Sequence, residues 1–70
     1  MRYMVVLERG EKSWGAHVPD LPGCAAVGES RDDALRLIRE AIEFHLEGLR
    51  AEGQAVPAPH SYATFVEVAA

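Results

Sequence analysis

One amphipathic segment, between Ser30 and Gly53, limits most strongly what this chain can fold into. Ser30 is a good helix N-cap, and Asp33 follows three residues later as in a capping box. Gly53 is a typical helix end, and two prolines follow it. Between these signals, apolar residues and one histidine recur at helical spacing: Leu35, Ile38, Ala41, Ile42, His45, Leu46 and Leu49. The segment predicts one long helix, which can cover only one face of a sheet.

Four other segments have the composition of strands. They are RYMVVLERG at 2–10, SWGAHV at 13–18, CAAVGE at 24–29 and SYATFVEVA at 61–69. Gly10 begins a predicted hairpin turn between the first two strands. The predicted order is β-β-β-α-β, an α+β fold in which the helix packs on one face of a small, mainly antiparallel sheet.

The first strand is apolar on both faces, which a single helix does not explain. Tyr3, Val5 and Leu7 alternate with Met4 and Val6, and strands of this type are covered on both sides. If Tyr3, Val5 and Leu7 meet the helix, Met4 and Val6 need a second cover; if the reverse holds, the other set does. We expect a homodimer or higher homo-oligomer. The alternative is that this face, or an edge of the sheet, receives a different protein.

The length of 70 residues predicts a single domain, residues 1–70, with a small core. Its one cysteine cannot form an internal disulfide, and no zinc-binding spacing is present, so self-association is the favoured source of extra stability. The short apolar run near the N-terminus does not resemble a signal peptide or a membrane span, which favours a cytoplasmic location. A net charge of −4 does not favour nucleic-acid binding but suits a basic protein partner.

The stretch VPDLPGCAAVGES, residues 18–30, could be a catalytic loop, a metal site or a structural corner. Pro19 and Pro22 cannot donate to a sheet ladder, and Gly23 allows unusual backbone angles. A lone cysteine such as Cys24 is more often a small buried hydrophobe than a nucleophile. The interpretation is a corner between two strands, with no catalytic, cofactor or metal site. The histidines are assigned no chemistry: His45 is expected to pack and His60 to be exposed.

Three motifs together resemble the HicB-type antitoxins: PDLPGC at 19–24, the capped helix that begins ESRDD, and EGQAVPAP at 52–59. The resemblance runs from Arg2 to Val68. It implies a partial ribonuclease-H-like fold that binds and blocks a small toxin that cleaves messenger RNA. Many members also carry a DNA-binding segment after this domain. The present sequence ends at Ala70, so direct DNA binding is not expected.

Three hypotheses about function follow. The first is an antitoxin-like module that occludes a small basic HicA-type toxin. The second is an orphan homo-oligomer without a toxin, and the third is a small metal-dependent nuclease that uses Asp20. The predicted partner-binding residues are Met4, Val6, Asp20, Glu40, Glu43 and Glu47. For the three glutamates the alternative is an ordinary solvated helix face interleaved with arginines.

Overall fold

Three short strands and one long helix make up the fold in the computed structural model, which describes residues 1–70. The strands are β1 (Val6–Arg9), β2 (Trp14–His17) and β3 (Ala25–Gly28), and the helix α1 is Arg31–Ala51. The sheet order is β1-β2-β3, and both pairings are antiparallel. The predicted α+β class, with three antiparallel strands followed by a helix, is confirmed.

The strand register decides which side chains face the helix. Leu7 pairs with Ala16, which pairs with Ala26, and all three pack in or against the core beneath α1. Since neighbouring residues in a strand point to opposite faces, Val6, His17 and Ala25 form the adjacent row on the other side. Tyr3 and Val5 also pack against the core. Of the two alternatives that the alternation left open, Met4 and Val6 are therefore the pair on the face that α1 does not cover.

Both ends of α1 are capped by the residues from which the sequence analysis predicted them. The Ser30 hydroxyl accepts a hydrogen bond from the Asp33 amide at 3.0 Å, and the Asp33 carboxylate accepts one from the Glu29 amide at 3.1 Å. At the other end Gly53 has φ +70°. Its amide donates to Arg50, and the next amide donates to the Leu49 carbonyl at 2.9 Å. These two bonds form a Schellman motif, which explains why the helix stops there.

The proline-rich corner, residues 19–24, buries three of its residues, Asp20, Leu21 and Cys24, while its two prolines and Gly23 are exposed. Leu21 is fully buried, as is Ile38 of the helix. The Leu21 amide donates to the Val18 carbonyl at 3.1 Å, and the Cys24 amide donates to the Leu21 carbonyl at 3.0 Å, so two tight turns follow one another. Gly23 supplies the positive φ of +82° within them. The predicted corner is confirmed, and Leu21 is its anchor.

Gly28 permits a close approach between β3 and α1 that the sequence pattern did not reveal. A Cβ atom at this position would lie 2.5 Å from the Ala34 backbone nitrogen. Ala34 is itself fully buried. The helix can therefore start directly against the end of β3, which positions the rest of α1 over the sheet.

The predicted last strand is not part of the sheet. No backbone–backbone hydrogen bond includes residues 61–70, and all of these residues except Ser61 are exposed. The predicted first strand is also shorter, because its ladder begins only at Val6. The two observations concern neighbouring parts of the chain: residues 61–63 line one cavity with residues 1–4, but no backbone hydrogen bond joins them, so neither segment extends the sheet.

Candidate protein-binding site

The outward side of α1 carries the three glutamates that were predicted to bind a partner. Glu40 accepts a hydrogen bond from Arg36 at 3.4 Å, and Glu43 lies 3.5 Å from the Arg39 guanidinium. Both pairs are spaced i, i+4 and solvent-exposed, so they stabilise the helix only slightly. Glu47 is exposed and forms no ion pair. Its negative charge is therefore the least compensated of the three.

Phe44 is the residue of this surface that sequence reasoning missed. It lies on the opposite side of α1 from the apolar stripe and is 70% exposed. A groove of about 310 Å³ runs beside it, toward Cys24 and Ala25 at the start of β3. The sequence did contain a signal for this contact residue, because Phe44 is an aromatic residue outside the core-facing positions of the helix. We call Glu40, Glu43, Phe44 and Glu47 the acidic helix face.

The side of the sheet away from α1 forms a second uncovered surface, the outer sheet face. It consists of Met4, Val6, His17, Ala25 and Val27. Val27 is 68% exposed, whereas Met4 and Val6 are half-buried. Its polar part is a loose pair between His17 and Glu8, whose nearest atoms are 3.9 Å apart. Nothing in the same chain forms a layer over this face.

Asp20 belongs to neither surface, although it was predicted to contact a partner. Its side chain is only 1% exposed. One carboxylate oxygen accepts hydrogen bonds from the backbone amides of His60 and Ser61, at 2.8 and 2.9 Å. The other accepts from the Ser61 hydroxyl and lies 3.2 Å from the His60 ring nitrogen Nε2. Asp20 thus attaches the segment after α1 to the corner, a role inside its own chain.

These contacts also set the acidity of Asp20. The hydrogen bond from the Ser61 hydroxyl is the largest of the influences that lower the pKa of this carboxyl below its ordinary value, and the two backbone amides act in the same direction. Burial opposes them by disfavouring the charged form. The carboxylate stays ionised because its hydrogen bonds outweigh that cost.

The other residues considered for chemistry are dispersed. Cys24 is buried in the core, and burial raises the pKa of its thiol, which disfavours the reactive thiolate. His17 lies on the outer sheet face, so it does not act as a base for Cys24. His45 is half-buried and His60 is exposed. No group of three or more histidine, cysteine, aspartate or glutamate side chains is arranged to hold a metal ion, and no helix is long and apolar enough to cross a membrane.

Comparison with known proteins adds a family match over most of the chain. The family described as "HicB_like antitoxin of bacterial toxin-antitoxin system" matches residues 3–69. The chain is 31% identical to "Antitoxin HicB 2" of Photorhabdus laumondii, with 100% of this chain and 51% of that protein covered. It is 47% identical to a "UPF0150 protein" of Helicobacter pylori, with 67% and 65% covered.

A third relative is the "Uncharacterized 14.9 kDa protein in rep-hol intergenic region" of Haemophilus phage HP1. It is 33% identical, with 81% of this chain and 43% of that protein covered. The chain therefore spans only about half the length of two of these three relatives, and slightly less than two thirds of the other. No solved structure matches.

Proposed function

The chain belongs to the HicB-like antitoxin family of bacterial toxin–antitoxin systems, and on that premise we propose that it binds and occludes a small basic HicA-type toxin. It acts as a protein-binding module and catalyses no reaction. The toxin that it neutralises cleaves messenger RNA. Occlusion means that the bound antitoxin physically prevents RNA from reaching the toxin's active site.

The exposed Phe44, next to exposed glutamates, is the observation that carries this proposal. Interface cores are enriched in aromatic residues, and a few such anchors supply most of the binding free energy. Phe44 has the groove toward Cys24 and Ala25 on one side, while Glu40 and Glu47 lie one turn before and after it. An aromatic anchor with an acidic rim fits a partner that presents an apolar pocket among basic side chains.

Charge complementarity supports the same assignment. The chain has 11 acidic and 7 lysine or arginine residues, for a net charge of −4. A protein that binds RNA is generally basic because it must neutralise phosphates. The acidic helix face would compete for the same basic side chains. Its charges should mainly accelerate association, whereas Phe44 should mainly slow dissociation.

The orphan homo-oligomer is the second candidate, and the uncovered outer sheet face favours it. Met4, Val6 and Val27 would be buried if two copies met there. The third hypothesis, a nuclease, requires carboxylates that converge on shared metal ions. Asp20 does not present such a ligand, because both of its oxygens accept hydrogen bonds from residues 60–61.

The test is binding and growth rescue with the toxin encoded beside this gene. The full chain is co-expressed with the toxin, and the affinity of the purified pair is measured by calorimetry. Phe44→Ala should weaken binding roughly 30-fold or more, as expected for loss of an interface anchor. Glu47→Lys should slow association and make it less sensitive to salt, and both variants should reduce growth rescue.

Glu11→Lys is the matched control because it makes the same charge change on the exposed β1–β2 turn. It should leave affinity nearly unchanged. Equal losses for Glu47→Lys and Glu11→Lys would show that only net charge matters and would refute the acidic helix face as the binding site. Failure of the wild-type chain to bind any co-encoded basic protein would favour the orphan oligomer.

A further inference from the structure

The helix α1 carries a second apolar stripe beside the one that packs on the sheet. Its members follow one another at intervals of four, three, four and three residues: Leu37, Ala41, Phe44, Gly48 and Ala51. This is the alternation of a and d positions in a coiled coil, where a narrow seam faces one partner helix. The stripe is about 21 Å long at the rise of an α-helix. We call these five residues the helix seam.

Gly48 is the member of the helix seam that the fold itself does not require. Its φ is not positive, unlike those of Gly23 and Gly53, and a Cβ atom added to it would meet nothing within 4 Å. Glycine inside a helix makes that helix less stable than alanine does. A glycine that weakens its own helix, and relieves no contact within its own chain, points to close approach by another molecule.

Two grooves adjoin both Phe44 and Gly48. The groove of about 310 Å³ reaches Cys24 and Ala25 at the start of β3, and a second groove of about 280 Å³ reaches Ala51 at the end of α1. The exposed Phe44 ring therefore protrudes beside two recesses, which is the surface shape that knobs-into-holes packing requires. Small residues at such a contact bring two helix axes to the short end of the usual separation of about 8–10 Å.

The charges beside the helix seam indicate a basic occupant. Glu40 and Glu47 flank it seven residues apart, at the g positions that decide which partner a coiled-coil helix accepts. Both are exposed, and Glu47 forms no ion pair. Two copies paired through this seam would set these glutamates against each other or against the opposite flank. That flank consists of Ile38, His45 and Glu52. A helix with lysine or arginine at its flanks is therefore more complementary than a second copy.

We propose that the helix seam receives a basic amphipathic helix of the toxin, which packs against Phe44 and approaches the backbone of α1 closely at Gly48. Lysine or arginine side chains of that helix face Glu40 and Glu47, and its apolar side chains enter the two grooves. The identity of the partner rests on the proposed function. What is added is the secondary structure that the partner presents and a binding role for Gly48.

The variant Gly48→Gln separates binding from folding, because it should change them in opposite directions. Glutamine is a better helix former than glycine, so the thermal unfolding temperature should rise. The longer side chain blocks close approach, so the affinity of the full chain for the co-encoded toxin, measured by calorimetry, should fall at least about tenfold. Unchanged affinity would overturn the helix seam as the binding surface and would leave toxin binding itself intact.

Arg50→Gln is the matched control, because it places the same side chain at an exposed position of the last helical turn, outside the helix seam. It should leave the affinity for the toxin within about twofold, as is usual for residues outside an interface core. An equal loss in both variants would overturn the role of Gly48. Sedimentation equilibrium of the wild type and Gly48→Gln tests the rival occupant: a wild-type dimer that Gly48→Gln dissociates would mean that a second copy occupies the seam.

A synthetic peptide tests the shape of the partner without the toxin. The probe is a three-heptad peptide with leucine at a and d and lysine at e and g, and its twin has glutamate in place of lysine. The lysine peptide should bind the wild-type chain, gain helical circular dichroism on binding, and bind Gly48→Gln at least about tenfold more weakly. The glutamate peptide should not bind.

The toxin and the peptide together distinguish the two proposals. Binding of the lysine peptide without binding of any co-encoded toxin would support a seam that accepts a basic helix and would refute the toxin as its partner. Absence of lysine-peptide binding, or equal binding of the two peptides, would overturn a basic helix as the docking element even where the toxin binds.

Discussion

The corner at residues 19–24 contributes more to the core, and the C-terminal segment at residues 62–69 contributes less, than their compositions suggest. The corner has two prolines, a glycine and an aspartate, yet its Leu21 is fully buried. The segment has the apolar alternation of a strand, yet Phe65 is almost fully exposed. Local composition predicted the backbone shape of each region but did not predict how deeply it is buried.

The difference arises from what surrounds each region. The corner connects β2 to β3 directly beneath α1, so Leu21 is enclosed by elements that are already paired. The C-terminal segment follows the last paired element, and its natural neighbour, the β1 edge, has no second strand from the same chain. Asp20 links the two regions because it belongs to the corner and hydrogen-bonds to residues 60–61.

The largest expected effect comes from removing the anchor of the corner. Leu21→Ala should lower the free energy of unfolding by about 2–5 kcal/mol, because it leaves a cavity among fully buried side chains. Val68→Ala should change it by less than about 0.5 kcal/mol, because its side chain is exposed. Urea denaturation measures both. Equal losses would show that the segment is buried within the single chain, contrary to the structure.

The next effect separates backbone strain in the corner from ordinary glycine flexibility in the helix. Gly23→Ala should destabilise the fold by about 1–2 kcal/mol, because its φ of +82° disfavours any side chain. Gly48→Ala should stabilise it by about 0.5–1 kcal/mol, since a Cβ there meets nothing within 4 Å and alanine favours helices. Thermal unfolding of the two variants checks the opposite signs. A stabilising Gly23→Ala would mean that the corner can relax.

The smallest effect is local and concerns the attachment of the C-terminal segment to the corner. The pKa of Asp20 is lowered in the folded chain, so this carboxylate contributes stability above its ordinary pKa, and that contribution is lost as pH falls through the lowered value. The amide resonances of His60 and Ser61 should therefore titrate with a midpoint below the ordinary value of 3.8. Helix signals should change less over the same range.

Asp20→Asn is the control for this titration. Asparagine keeps the shape of the side chain but carries no charge and does not ionise, so the transition at the Ser61 amide should disappear. A midpoint at or above the ordinary value in the unmodified protein would contradict the hydrogen bonding described for Asp20. Persistence of the transition in Asp20→Asn would assign it to a different group.

Part of the molecule was determined by sequence alone because its signals are local. The limits of α1 follow from Ser30, Asp33 and Gly53, whose side chains and backbone angles act within one helical turn. The two-faced β1 likewise predicted a second cover for the sheet, and that cover stays a prediction. The PDLPGC and EGQAVPAP motifs suggested the family that the comparison then showed.

Tertiary structure alone decided the rest, because burial depends on elements that are distant in sequence. Asp20 became an internal attachment only when residues 60–61 lay beside it, and Gly28 became necessary only where α1 starts against β3. Phe44 became a candidate contact because the apolar stripe of the helix faces the sheet and leaves Phe44 exposed on the other side. The C-terminal segment has a strand's pattern, yet it stays outside the sheet: residues 61–63 line one cavity with residues 1–4, but the ladder of β1 begins only at Val6.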